Sequence, residues 1–132
     1  MQCVVLAAGE GKRMRPLTAR RPKVMLPIAN RPMIEHLITA ARDAGITGFI
    51  LVVGYCEREI RNHFGDGSGL GVKITYVTQR RQLGTADALR AASGMVNDRF
   101  LLLNGDMILR SDDIRSLCRM EAPCMGIHET DH

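Results

Sequence analysis

Directly after the apolar run Val4 to Ala7, the stretch LAAGEGKRM, residues 6–14, sets Gly9 and Gly11 beside Lys12 and Arg13. These residue types suit an oxyanion. Glycine lets the main chain approach closely and turn N–H groups toward it, and arginine adds a planar fork of donors matched to phosphate oxygens. The same residues also make an ordinary solvent-facing turn between a strand and a helix, and the loop alone leaves both readings open. Two familiar phosphate grips are excluded. Leu6 stands where the first glycine of a P-loop belongs, and Arg13 follows Lys12 where that motif needs Ser or Thr. Met14 takes the place of the third glycine of a dinucleotide fingerprint, and Val53 is followed by Gly54 and Tyr55 rather than by an acidic residue.

The charge distribution points the same way. Residues 1–31 hold Lys12, Arg13, Arg15, Arg20, Arg21, Lys23 and Arg31 against Glu10 alone, a local charge of +6, whereas the rest of the chain carries −2 to give +4 overall. The N-terminal segment is therefore where an anion belongs. Nucleic acid is a poor fit, because a single-strand binder interleaves aromatics with its basic residues, and the three Phe and two Tyr all lie outside this segment. A small polyphosphate suits it better. The four cysteines, Cys3, Cys56, Cys118 and Cys124, lack C-x-x-C spacing and read as reduced, structural thiols, and the four scattered histidines offer no H-E-x-x-H pair for a catalytic zinc. At 132 residues, with 45% apolar and 24% charged residues, the chain reads as one soluble domain able to bury a core. No stretch is apolar and long enough for a membrane span, and no basic region precedes the first apolar run, so the expected location is cytoplasmic.

Strands alternating with helices must position these residues. The pattern predicts strands at Cys3 to Ala7, Phe49 to Val53, Val72 to Val77 and Phe100 to Leu103. Between them, Asn30 is expected to cap a helix with Pro32 in its first turn; Ile34, Leu37, Ile38 and Ala41 then share one face and Gly45 ends it. Further helices are expected from about Glu57 to Phe64, from Thr85 to about Val96, and after a Ser111 cap, with Ile114, Leu117 and Cys118 facing inward. Asp112 and Asp113 in that last helix read as complements to its dipole rather than as metal ligands. The glycine-rich stretch 65–71 reads as a turn, and the tail as the start of a fifth strand. Such alternation implies an α/β fold with a mostly parallel sheet and helices on both faces. Its ligands sit outside the carboxyl ends of the strands, after the first, third and fourth strands here.

Three ordered stretches then carry a resemblance: LAAGEGKRMRPLT continuing into RPKVMLPIANRPMIEHLI, QRRQLGTADAL at residues 79–89, and LLLNGDMIL at residues 101–109. Together they are similar to the N-terminal signature of the sugar-1-phosphate nucleotidylyltransferases, of the glucose-1-phosphate thymidylyltransferase and N-acetylglucosamine-1-phosphate uridylyltransferase type. The resemblance implies a three-layer, Rossmann-like fold of the nucleotide-diphospho-sugar transferase type. It also implies nucleotidyl transfer from a nucleoside triphosphate to a sugar 1-phosphate, with Mg²⁺ and release of pyrophosphate.

Carried onto this chain, the resemblance assigns nucleotide contacts to Leu6, Ala7, Ala8, Gly9, Gly11 and Lys12, with the loop through Arg13 wrapping the triphosphate. Lys23 would bridge phosphate oxygens of nucleotide and sugar phosphate, which suits a mobile ammonium following charge as it moves. Gln79 resembles the glutamine that reads the base; its amide can donate to a carbonyl of uracil or thymine while accepting from N3–H, which favours UTP or dTTP. Gly84 and Thr85 would let base and ribose lie close to the backbone, Asn104 and Gly105 are further expected nucleotide contacts, and Asp106 after them is the aspartate expected to hold Mg²⁺ on the α-phosphate. Arg13, Lys23 and Asp106 are thus the expected catalytic groups. Lys12 departs from the family, which commonly has threonine there. The resemblance also implies a domain that continues well beyond this length, so residues 1–132 are expected to be its nucleotide-binding portion, cut short at the C-terminus. A nucleotide-binding fragment or regulatory module without turnover is the alternative. Partners are expected to be the two small substrates, not nucleic acid or membrane, with a homo-oligomer left open.

Overall fold

The computed structural model describes residues 2–9, 22–79, 90, 92, 94 and 100–119. Four strands, β1 (Gln2–Ala7), β4 (Gly48–Val53), β5 (Lys73–Thr78) and β6 (Phe100–Asn104), form one parallel sheet in the order β5-β4-β1-β6. A two-stranded antiparallel pair, β2 (Pro27–Ile28) and β3 (Arg31–Pro32), precedes helix α1 (Met33–Asp43). Helix α2 (Glu57–Phe64) links β4 to β5, and α3 (Ser111–Arg119) follows β6.

The apolar runs form parallel strands because a parallel sheet covered on both faces can bury every side chain of a strand. Alternating residues sort to two faces. Cys3, Val5, Ala7, Phe49, Leu51, Val53, Leu101 and Leu103 meet Ile34, Leu37, Ile38 and Ala41 of α1, Ile60 and Phe64 of α2, and Ile114 of α3. Val4, Ile50, Val52 and Leu102 face the other side, where Ala92, a helical residue, is fully buried against them. Most of the expected helix over residues 85–96 and the expected strand in the tail lie outside the described residues. Among the described residues, no helix is long and apolar enough to cross a membrane.

Two expected caps differ. Ala29 and Asn30 both have positive φ, 52° and 68°, the signature of a two-residue hairpin turn joining β2 to β3. Asn30 cannot cap α1 from that conformation, since an N-cap needs extended backbone; the helix starts at Met33, with Pro32 extended before it. Ser111 is the first helical residue of α3, and the end contact there is an Asp113 carboxylate accepting the Arg110 N–H at 3.2 Å. The expected end of α1 holds: Gly45 at φ 102° lets its own N–H reach Arg42 O and that of Ile46 reach Ala41 O, the paired bonds of a Schellman motif.

The strand order has one consequence for function. From β1 the chain steps outward to β4 and β5, then returns to the far side of β1 for β6. The direction of winding therefore reverses between β1 and β6, and in open sheets of this kind the crevice outside the strand ends at that reversal is where ligands bind.

Candidate functional site

The register places the ends of all four strands nearly level: Ala7 lies opposite Val53, Val53 opposite Thr78, and Leu6 opposite Asn104. Three inter-strand gaps of about 4.8 Å give a rim roughly 14 Å across, the scale of a nucleoside triphosphate. Every described residue that the sequence singled out lies on this rim or docks against it.

Leu6, Ala7, Ala8 and Gly9 form the end and exit of β1. Gly9 is exposed, and among the described residues a Cβ added there would meet nothing within 4 Å. Its bare side is open for the close approach that the sequence suggested. On one flank, Asn104 ends β6 and the Gly105 N–H donates to Leu6 O at 2.9 Å, holding the Asp106 turn against β1. Gly105 does a different job from Gly9. A Cβ there would come within 2.8 Å of Val24 Cγ1 and 3.1 Å of Leu6 O, so its missing side chain is filled by protein. That vacancy seats the short 3₁₀ turn Lys23–Met25 against the end of β6.

Lys23 is the first residue of this turn, behind an extended Pro22 and ahead of buried Val24 and Met25. Apolar anchors thus fix the backbone while the long polar side chain stays partly in solvent. Its Nζ donates to Asp106 Oδ2 at 3.1 Å, across 83 residues of sequence. Both side chains are 38% exposed, so the pair is open to a ligand from solution. This is the contact that unites two of the three expected catalytic groups.

On the other flank, Gln79 follows β5 and is buried, at 6% exposure, with its backbone N–H donating to Val53 O at 2.7 Å. Gly54, which belongs to none of the three motifs, lies between it and β1: the Tyr55 N–H donates to Ala8 O at 3.2 Å. The available signal was a glycine directly after a buried strand, at the carboxyl end where this fold binds ligands. Gly11, Lys12, Arg13, Gly84 and Thr85 lie outside the described residues.

The donors also bear on metal binding. Among the described residues, no group of three or more His, Cys, Asp or Glu could form a protein cage. Mg²⁺ does not require one, since it is commonly held by one or two carboxylates plus substrate phosphates and water. Asp106 offers a hard oxygen donor that already faces a cation, the Lys23 ammonium. The residues present fit a magnesium site completed by a polyphosphate.

Comparison with known proteins agrees with this geometry. A family model described as nucleotidyl transferase matches residues 2–123. The chain belongs to the nucleotidyl transferase family. Among curated relatives of this nucleotidyl transferase chain, the low-salt glycan biosynthesis nucleotidyltransferase of Haloferax volcanii is 42% identical over 83% of the chain and 31% of the relative. A mannose-1-phosphate guanylyltransferase of Mycobacterium tuberculosis is 41% identical over 85% of the chain and 32% of the relative. The UTP–glucose-1-phosphate uridylyltransferase of Haloferax volcanii is 40% identical, with coverage of 85% and 46%. The chain therefore spans less than half the length of these relatives. Of solved structures, one described as a glucose-1-phosphate thymidylyltransferase from Bacillus anthracis in complex with sucrose superposes with a TM-score of 0.82 at 34% identity, covering 88% of this chain and 48% of that one. A UDP-glucose pyrophosphorylase complexed with UDP-glucose, at 23% identity and a TM-score of 0.72 over 88% of this chain and 52% of that one, shares the fold. The mostly parallel sheet is thus the Rossmann-like sheet of nucleotide-diphospho-sugar transferases.

Proposed function

We propose that this chain forms the nucleotide-binding part of an enzyme that transfers a nucleotidyl group from UTP or dTTP to a sugar 1-phosphate, giving a nucleotide sugar and pyrophosphate. The observation that carries the reading is the Lys23–Asp106 pair beside the exit of β1, at the reversal of the sheet. It sets a mobile cation and a metal-competent carboxylate where phosphates would lie, next to main chain left open at Gly9.

The chemistry is in-line displacement, in which a sugar-phosphate oxygen attacks the α-phosphorus as pyrophosphate departs. Lys23 follows the charge between attacking and bridging oxygens, a role its flexible stem permits and a rigid guanidinium would not. Arg13 and the amides of the Gly9–Gly11 loop stabilise the leaving pyrophosphate. A magnesium ion held by Asp106 would supply Lewis-acid polarisation of the α-phosphate. No protein nucleophile takes part. Gln79 reads the base: its amide can donate to a carbonyl of uracil or thymine while accepting from N3–H. By the family resemblance, Gly84 and Thr85 would let base and ribose lie close to the backbone.

The uridylyl- and guanylyltransferase relatives have similar identity, so base choice is measured directly. Titration calorimetry with UTP, dTTP, GTP and CTP in magnesium buffer should give tightest binding with UTP or dTTP, and Asp106→Asn should abolish the tightening of nucleotide binding by magnesium. A pyrophosphate-release assay with glucose 1-phosphate on the same chain separates turnover from binding alone. Binding of no nucleoside triphosphate at millimolar concentration would refute the proposal.

A further inference from the structure

Gly54 has no chemistry of its own, yet it stands where the ends of β1 and β5 come together, against both Ala8 and Gln79. A Cβ built on it would lie 2.9 Å from Gln79 O, 3.2 Å from Ala8 Cβ and 3.3 Å from Ala8 O. The nearest of these is a main-chain atom held by a neighbouring bond, since the Gln79 N–H donates to Val53 O at 2.7 Å. A side chain at residue 54 could not be absorbed by a rotamer change; the backbone of Gln79, of Ala8 or of both would have to move.

The surrounding bonds leave little slack. The Tyr55 N–H donates to Ala8 O and the Glu57 N–H to Gly54 O. The Glu57 carboxylate accepts from the Thr78 hydroxyl at 2.9 Å, which ties the start of α2 to the residue before Gln79. Cys56, in left-handed backbone at φ 51°, completes the tight turn between these anchors. The segment 54–57 is therefore clamped to β1 on one side and β5 on the other, with Gly54 as the spacer.

We propose that Gly54 is a positioning residue for nucleoside recognition: its bare Cα sets the distance between the Ala8–Gly9 main chain, which grips the nucleotide, and Gln79, which reads the base. This rests on the base-reading role given to Gln79 above. The backbone of Gly54 approaches Gln79 and Ala8 closely enough that even one added methyl group displaces the reader relative to the grip. The consequence is a selective one. Displacement of a few tenths of an ångström spoils a two-bond amide-to-uracil pairing more than it spoils contacts to a flexible triphosphate, so discrimination falls before affinity does.

The test measures dissociation constants for UTP and CTP by calorimetry. Cytosine presents a lone pair at N3 where uracil presents N3–H, so the CTP:UTP ratio reports the pairing of Gln79. Expected is a ratio lowered at least five-fold by Gly54→Ala and by Gln79→Ala, with no further fall in the double variant, because both act through one contact. Gly67→Ala serves as a fold control: its Cβ would lie 2.7 Å from Val72 O at a residue of φ 87°, so it should lower the melting temperature without changing the ratio. If Gly54→Ala does not fold, Ala8→Gly added to it removes one of the three collisions and is measured instead. An unchanged ratio in Gly54→Ala with a lowered one in Gln79→Ala overturns the spacer role alone. An unchanged ratio in Gln79→Ala, or equal binding of UTP and CTP by the unmodified chain, overturns base reading and the spacer role together. A ratio that falls equally in Gly67→Ala shows general loosening and also overturns the spacer role.

Discussion

Lys23→Met separates structure from function at the site. The substitution keeps most of the aliphatic stem and removes the ammonium that stands 3.1 Å from Asp106 Oδ2. In bulk water two unit charges at that distance attract by about 1.3 kcal/mol, but both side chains are 38% exposed. Solvent screening and the entropy of holding two side chains together leave such pairs at about 0.2–1 kcal/mol, and Asp106 remains hydrated after the partner is lost. The fold should therefore lose no more than about 1 kcal/mol, a fall in melting temperature of a few degrees. Nucleotide binding should suffer more. A charge-assisted hydrogen bond to a phosphate oxygen contributes about 1.5–3 kcal/mol, so UTP affinity in magnesium buffer should drop by roughly 10- to 150-fold. Denaturant unfolding and calorimetry on the same preparation read the two quantities side by side. A loss of several kcal/mol of stability with unchanged UTP affinity would show that Lys23 holds the turn together instead, and the argument from its exposure would be refuted.

Three other outcomes follow from the packing. Gly105→Ala should destabilise the fold by about 1–3 kcal/mol in denaturant melts, because the new methyl group collides with Val24 Cγ1 and Leu6 O on a fixed strand end. Ile34→Ala should cost about 2–5 kcal/mol by the same measurement, since Ile34 is fully buried where α1 meets the sheet and its removal leaves a cavity. Burial pushes the Cys3 thiol up from its ordinary 9.0, with Cys118 nearby adding to the rise. The buried thiol stays neutral while the unfolded one ionises, so this contribution is intact below pH 9.0 and declines as pH rises further, by at most about 1.4 kcal/mol per pH unit. Cys3→Ser compared with the unmodified chain over pH 8–10.5 should show a shallower alkaline loss; an identical slope would contradict it.

Most elements were legible in the sequence because their signals are local. Alternating apolar runs gave all four strands of the sheet to within a residue, and the stripe Ile34, Leu37, Ile38 and Ala41 gave the buried face of α1. The errors fell on end geometry. Asn30 suits both a helix cap and a left-handed turn, and the choice went to the hairpin because pairing of Ile28 with Arg31 needs two consecutive residues of positive φ. The motif residues at the exits of β1 and β6 could be named beforehand, since a strand end followed by glycine and a charged group is a pattern along the chain.

What the amino-acid sequence determined by itself is the four strands of the parallel sheet, the helices α1, α2 and α3, the concentration of positive charge near the N-terminus and the residue types available for phosphate, base and cation. Tertiary structure alone decided which of them meet. Placing β6 on the opposite side of β1 from β4 brings Asp106 to Lys23 across 83 residues and sets Leu6 beside Asn104. It also set three glycines of one rim in three different surroundings: among the described residues an added Cβ would meet nothing within 4 Å at Gly9, Val24 and Leu6 at Gly105, and Gln79 and Ala8 at Gly54. The physical reason is that glycine's role depends on what fills the space its side chain would take. That space is bounded by strands far apart in the chain, and no local pattern encodes it.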